Sequence, residues 1–171
     1  QLTLAHVRDI SFLKTAPPNR LAIHTFVLPY TQKTIAEALR RELERGGQVY
    51  FLHNRIETIG AVKQKLEKFL TKIKPLNPKI GVMHGRMKEG EMIKVMNEFR
   101  QRKIDILLAT TIIENGLDIS SANTLVVDDA TMIGLAEAHQ LRGRVGRSAT
   151  QAFAYFLYKP RHMTEKAADR L

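Results

Sequence analysis

The chain has 171 residues, 44% of them hydrophobic, with 27 Lys and Arg against 17 Asp and Glu and no cysteine. That content fits one globular domain with a full core. The missing thiols exclude disulfides and cysteine zinc sites, and no apolar run approaches the roughly 18 residues needed to cross a bilayer. The six His show no ligand-like pairing in sequence; His53 and His84 stand alone. A reducing, cytoplasmic setting is the expectation, with no metal held by the chain itself. The formal charge of +10 points to a polyanionic partner, nucleic acid being the commonest; a solubilising surface is the plainer alternative.

Taken in chain order, residues 1–20, ending in Ala16-Pro17-Pro18, read as a linker. Leu21 to Leu28 is extended and mostly apolar, and Pro29 closes it. Ile35, Leu39 and Leu43 then recur at helical spacing, with Thr31 or Thr34 as N-cap and Gly46-Gly47 as the stop. Val49 to Leu52 is a short apolar strand. Ile59, Val62, Leu66, Phe69 and Ile73 mark a long amphipathic helix, and Pro75 and Pro78 bracket the turn after it. Lys79 to Met83 is a strand, and Met92, Val95, Met96 and Phe99 trace a third helix. Ile104 to Ala109 is almost wholly apolar, as a strand covered on both faces must be. Thr124 to Val127 is a further strand, Leu135 to Leu141 a helix and Ala152 to Leu157 the last strand.

Strands alternating with helices predict an α/β domain of three layers, with a mostly parallel sheet and helices on both faces. Chemistry in such sheets gathers at the carboxyl ends of the strands. The sequence sets His53-Asn54-Arg55, His84-Gly85-Arg86 and Thr110-Thr111 there.

The sharpest cluster is Gln140 to Ser148, where three Arg and two Gly fall within six residues. Glycine permits close approach or positive φ, and Arg offers a fixed fork for phosphate oxygens. On composition alone, a phosphate-gripping turn and a solvated basic loop both remain open. Leu107 to Val127 runs from an apolar strand through Thr110-Thr111 to Gly116-Leu117-Asp118. Strand-end hydroxyls and free N–H groups there can hold phosphate, or the segment is simply a capped turn. Asp128-Asp129 after an apolar strand could be a magnesium site, but the phosphate-binding loop G-x-x-x-x-G-K-S/T that such a site needs is absent from these residues. Capping or solvated carboxylates are the reading preferred.

In this order and spacing the clusters resemble the C-terminal RecA-like lobe of superfamily 2 helicases and translocases, over nearly the whole chain. VYFLHNRIE (49–57) is similar to motif IV, and Met83 to Met87 to the H-G element that follows it. Leu107 to Ile119 is similar to motif V, and Gln140 to Arg147 to the Q-x-x-G-R-x-G-R motif VI. Within the superfamily, RDISFLKTAPPNR, TTIIENGLDISSANTLVVDDA, GLAEAHQLRGRVGRS and QAFAYFLY resemble the transcription-repair coupling factors. The RecG family shares the R-G-R-V-G-R core and H-G-R-M-K, and is the alternative.

The resemblance implies a lobe spanning 21–160 and the start of a truncated helical hairpin at 161–171. It implies ATP with magnesium held mainly by a first RecA-like lobe, with Arg147 as arginine finger and Arg144 beside it as the catalytic pair. Gly116, Asp118, Gln140 and Gly143 would lie at the nucleotide. Thr110, Thr111, His84, Gly85, Arg86, Asn54 and Arg55 would touch phosphates of double-stranded DNA. DEAD-box relatives carry Arg where Met92 stands, so that contact is not carried over. Implied partners are the first lobe, DNA and, through segments outside this chain, RNA polymerase and the excision-repair protein UvrA. The chain alone would be inactive. This assignment asks that Arg144 and Arg147 stay free of the domain's own carboxylates and face the strand ends bearing Thr110 and Gly116. A non-catalytic nucleic-acid-binding module is the competing class.

Overall fold

The computed structural model describes residues 21–71, 77–110, 122–146 and 150–159. The expected linker, the hairpin start, Ile73 and Pro75 lie outside these residues. The described elements are β1 (His24–Pro29), α1 (Gln32–Glu44), β2 (Gln48–Leu52), α2 (Ile56–Leu70), β3 (Ile80–Met83) and α3 (Glu89–Arg100). After them come β4 (Ile106–Ala109), β5 (Ala122–Val127), a 3-10 turn (Ala130–Met132), α4 (Leu135–Arg142) and β6 (Phe153–Tyr158). All six strands are parallel, in the order β1-β6-β5-β2-β4-β3.

Side chains alternate across the sheet because successive residues of a strand point to opposite faces. Val49 and Phe51 of β2, Ile106 and Leu108 of β4 and Val126 of β5 pack with Ile35, Leu39 and Leu43 of α1 and with Ile59, Val62 and Leu66 of α2. Tyr50, Leu52, Leu107, Leu125 and Val127 turn the other way, onto Met96 and Phe99 of α3, with Ala138 and Leu141 of α4 against the same core. The domain therefore has the three layers expected. β2, β4 and β5 are buried along their whole length. The edge strands β1 and β3 are only partly covered. An edge tolerates Pro29, which has no N–H for a ladder, and it ends β1 as read from the sequence.

Local signals explain the boundaries. Thr31 caps α1, its hydroxyl accepting from the Thr34 N–H at 3.0 Å. At the other end Gly46 takes φ +74, which a Cβ would oppose. The Gly47 N–H then reaches Glu42 O and the Gly46 N–H reaches Leu43 O, both at 3.0 Å, a Schellman closure. Glu42 itself is fully buried. It pairs with Arg45 and accepts from the Thr124 hydroxyl at 2.5 Å, so α1 is tied to β5. Gln48 opens β2 and donates from Nε2 to the Phe99 and Ile104 carbonyls, each at 2.7 Å. That buried amide fixes the α3–β4 connection to the sheet.

Candidate functional site

At the carboxyl edge of the sheet each strand end is held by its neighbour. The His53 N–H donates to Ala109 O at 2.8 Å, the Thr110 N–H to Met83 O at 3.2 Å and the Asp128 N–H to Leu52 O at 3.1 Å. The residues just past β2, β3 and β4 are thus brought side by side, as the sequence reading expected for Asn54, His84 and Thr110. Thr110 is buried. Its Oγ1, the Asn54 Oδ1 and the His84 Nδ1 are enclosed, with no hydrogen-bond partner among the described residues. Buried polar atoms are nearly always satisfied, so these three call for partners beyond the described residues.

Two cations and a helix end border these atoms. Arg55 is exposed at the N-cap of α2 and its side chain makes no capping bond, the Thr58 N–H donating instead to the Arg55 carbonyl at 3.3 Å. Such a helix start favours anions. Arg86 lies beyond the exposed Gly85 turn and donates to Glu57 in the first turn of α2 at 2.8 Å. A backbone hydrogen bond, and after it the Arg86 guanidinium, hold the Glu57 carboxyl below its ordinary range, against some desolvation.

The basic Gly-rich segment is elsewhere. α4 leaves the carboxyl end of β5 through the 3-10 turn and runs back as the crossover into β6. Its last turn therefore reaches the amino ends of the strands. The Gly146 N–H donates to the carbonyl of Ala122, which opens β5, at 3.2 Å. Val145 is buried in the α3-side core. Gly146 takes φ +75, and a Cβ there would stand 2.5 Å from the Ala152 Cβ. Gly143 differs: it caps α4 with φ −66 and has only ordinary carbonyl contacts around it. Gln140 and Gly143 are exposed and Arg144 is half-buried.

Through Gly146, two residues on, the backbone at Arg144 lies nearer the amino ends of the strands than the ends bearing Thr110. The carboxyl-end rule concerns loops that follow strands, whereas Arg144 follows a helix and precedes a strand. No carboxylate pairs with Arg144 among the described residues. Its charge instead acts on Tyr50. Burial drives the Tyr50 phenol well above its usual pKa, and the Arg144 charge pulls the other way. Thr111, Gly116, Asp118 and Arg147 lie outside the described residues.

His53 and Asp128 were read separately from the sequence, and the structure joins them. His53 Nδ1 donates to Asp128 Oδ2 at 2.6 Å, and Nε2 is 2.7 Å from Thr58 Oγ1. Asp129 accepts from the Thr131 hydroxyl at 2.5 Å and lies 3.8 Å from Lys159 Nζ. Lys159 also sits over the Tyr30 ring, 5.1 Å from its centroid. Burial first, and the Asp128 carboxylate second, raise the Tyr30 pKa. The carboxylates weighed as magnesium ligands thus have protein partners. No group of three or more His, Asp or Glu poised for a metal occurs among the described residues. The one sequence signal for the His53–Asp128 pair was that each follows an apolar strand.

An all-parallel three-layer α/β domain is a fold that helicase C-terminal lobes adopt. Residues 32–149 match the helicase conserved C-terminal domain, and the chain belongs to that family. It is 46% identical to the transcription-repair-coupling factor of Myxococcus xanthus over 169 residues, covering 99% of this chain and 14% of that protein. It is 44% identical to that of Escherichia coli strain K12 over 171 residues, again 99% of this chain and 14% of the relative. The solved structure of RecG bound to a three-way DNA junction aligns at TM-score 0.74 and 35% identity, over 91% of this chain and 20% of that one. The chain thus spans about one seventh of the coupling factors it matches. No helix among the described residues is long and apolar enough to cross a membrane.

Proposed function

We propose that this chain is the second motor lobe of an ATP-dependent double-stranded DNA translocase of the transcription-repair coupling type. In that machine a first RecA-like lobe holds ATP and magnesium. Arg147 and Arg144 reach across to the transferring phosphoryl group, with Gly116, Asp118, Gln140 and Gly143 nearby. Phosphoryl transfer is governed by positioning and by neutralising charge as it develops, and Arg144, with no carboxylate partner among the described residues, is suited to that. Asn54, Arg55, His84, Gly85, Arg86, Thr110 and Thr111 take phosphates of one DNA strand, so binding is independent of sequence. Turnover opens and closes the cleft between lobes and shifts the two grips along the duplex. Displacement of stalled RNA polymerase and engagement of UvrA belong to segments outside this chain.

The observation that carries the reading is the gathering of Asn54, His84 and Thr110 at the ends of neighbouring strands in a chain of the helicase C-terminal family. Their polar atoms have no partner among the described residues and lie by the start of α2, while Arg144, also without a carboxylate partner among the described residues, lies nearer the amino ends of the strands. The RecG likeness keeps fork remodelling as the second reading of the same motor. In the intact protein, Arg147→Ala should lower ATP turnover by about 10³- to 10⁵-fold while ATP binding persists. Turnover near the parental rate would remove the arginine-finger role. DNA affinity of the lobe should rise when the first lobe and a nucleotide analogue are supplied. Equal affinity without them would favour a non-catalytic binding module.

A further inference from the structure

We infer that His53 is a positioning residue that ties the DNA-facing turn to the root of the helix carrying Arg144, acting through Asp128. The inference rests on the motor reading above. β2 and β5 are neighbours with Leu52 opposite Val127, so the next residue of each, His53 and Asp128, meet at the carboxyl edge. Both are almost fully buried. Both imidazole nitrogens are engaged, Nδ1 with Asp128 at 2.6 Å and Nε2 with Thr58 at 2.7 Å, which fixes the plane of the ring.

Each end of this strut leads to a different set of residues. On one side His53 is followed in the chain by Asn54 and Arg55, and Thr58 lies in the first turn of α2. A shift of that turn on phosphate must therefore move the ring. On the other side Asp128 begins the connection to α4. The next residue, Asp129, holds Thr131 and Lys159, which fixes the 3-10 turn from which α4 departs. α4 is a single short helix ending at Arg142, with Arg144 two residues on. Two apolar side chains could tie β2 to β5 without desolvating a carboxylate. A buried histidine–carboxylate pair at this junction is directional, and it transmits orientation where an oily contact would slip.

The two ring nitrogens can be separated by substitution in the full-length protein that contains both lobes. Asn sets its amide near the position of Nδ1, so His53→Asn keeps the hold on Asp128. Gln sets it near Nε2, so His53→Gln keeps Thr58 and releases Asp128. His53→Gln and Asp128→Ala should reduce the DNA-stimulated part of ATP turnover about tenfold, the scale of a typical coupling residue. DNA-free turnover and DNA affinity should stay within about twofold of the parent, and His53→Asn should keep most of the stimulation. If Asp128→Ala does not fold, the contrast between the two His53 variants decides. Equal behaviour of His53→Gln and His53→Asn would overturn the inference. So would a parallel fall of basal turnover, stimulated turnover and melting temperature, which marks a purely structural pair. A parent whose turnover DNA does not stimulate would overturn the motor reading itself, and this inference with it.

Discussion

Gly146→Ala should destabilise the domain severely, and the loss can be worked from its surroundings. Gly146 has φ +75, and holding an L-residue there costs roughly 1–2 kcal/mol. The new methyl would lie 2.5 Å from the Ala152 Cβ. Ala152 is buried, and its carbonyl accepts from the His24 N–H at 3.0 Å, so it cannot retreat without disturbing the β1–β6 pairing. Overpacking of this kind costs about 1–3 kcal/mol, for a total near ~3 kcal/mol. With a urea slope of about 2 kcal/mol per M, the unfolding midpoint should fall by ~1.5 M. Gly143→Ala is the control, since its backbone is helical and its nearest neighbours are carbonyls at 3.4 and 3.5 Å. Its stability should change by no more than about 0.5 kcal/mol. Urea titration of both variants of this chain, followed by circular dichroism, makes the comparison. A Gly146→Ala midpoint within about 0.3 M of the parent would refute the claim that this glycine is required by its conformation and by Ala152.

Tyr50→Phe should leave stability unchanged or raise it by up to about 1 kcal/mol, because a buried hydroxyl without a partner contributes only desolvation. The hydroxyl is enclosed and unpartnered among the described residues, and a clear loss in the same urea assay would show that it has a partner. Arg86→Ala in the full-length protein should weaken DNA binding alike on unrelated sequences. It should also reduce the slope of log affinity against log salt by about 1. An unchanged slope would take Arg86 off the phosphate path.

The layers were legible because buried positions leave a period. Ile35, Leu39 and Leu43 repeat at helical spacing, and each lies on the core side of α1. The unbroken apolar run of β4 is buried at every residue. Capping was legible too, at Thr31 and Gly46, because those are local chemistries. What could not be read was adjacency between distant strands. His53 and Asp128 are 75 residues apart, and they meet only because β2 lies beside β5, an order no local pattern encodes. The position of Arg144 was hidden for the same reason. Its motif is local, but which edge of the sheet it reaches depends on α4 running back as a crossover. The strand-end cluster of Asn54, His84 and Thr110 was found because its rule depends only on where each strand stops.

The separation of the two sets bears on how such a lobe could do work. Had the arginine proposed to face nucleotide phosphate and the residues proposed to face DNA shared one edge, one local loop motion could have served both. They lie at opposite ends of buried parallel strands, and packed interiors of this kind do not deform continuously. Under the proposed function the lobe must therefore move as one body, and only its two ends can be adjusted. At the carboxyl end the adjustable parts are the α2 start, the Gly85 turn and the His53–Asp128 junction. At the amino end they are Gly143 to Gly146, where Val145 is buried in the core and Gly146 holds its positive φ. A rigid body gripping DNA at one end and a nucleotide at the other turns closure of a cleft into displacement along the duplex, without any strand of the sheet having to slide.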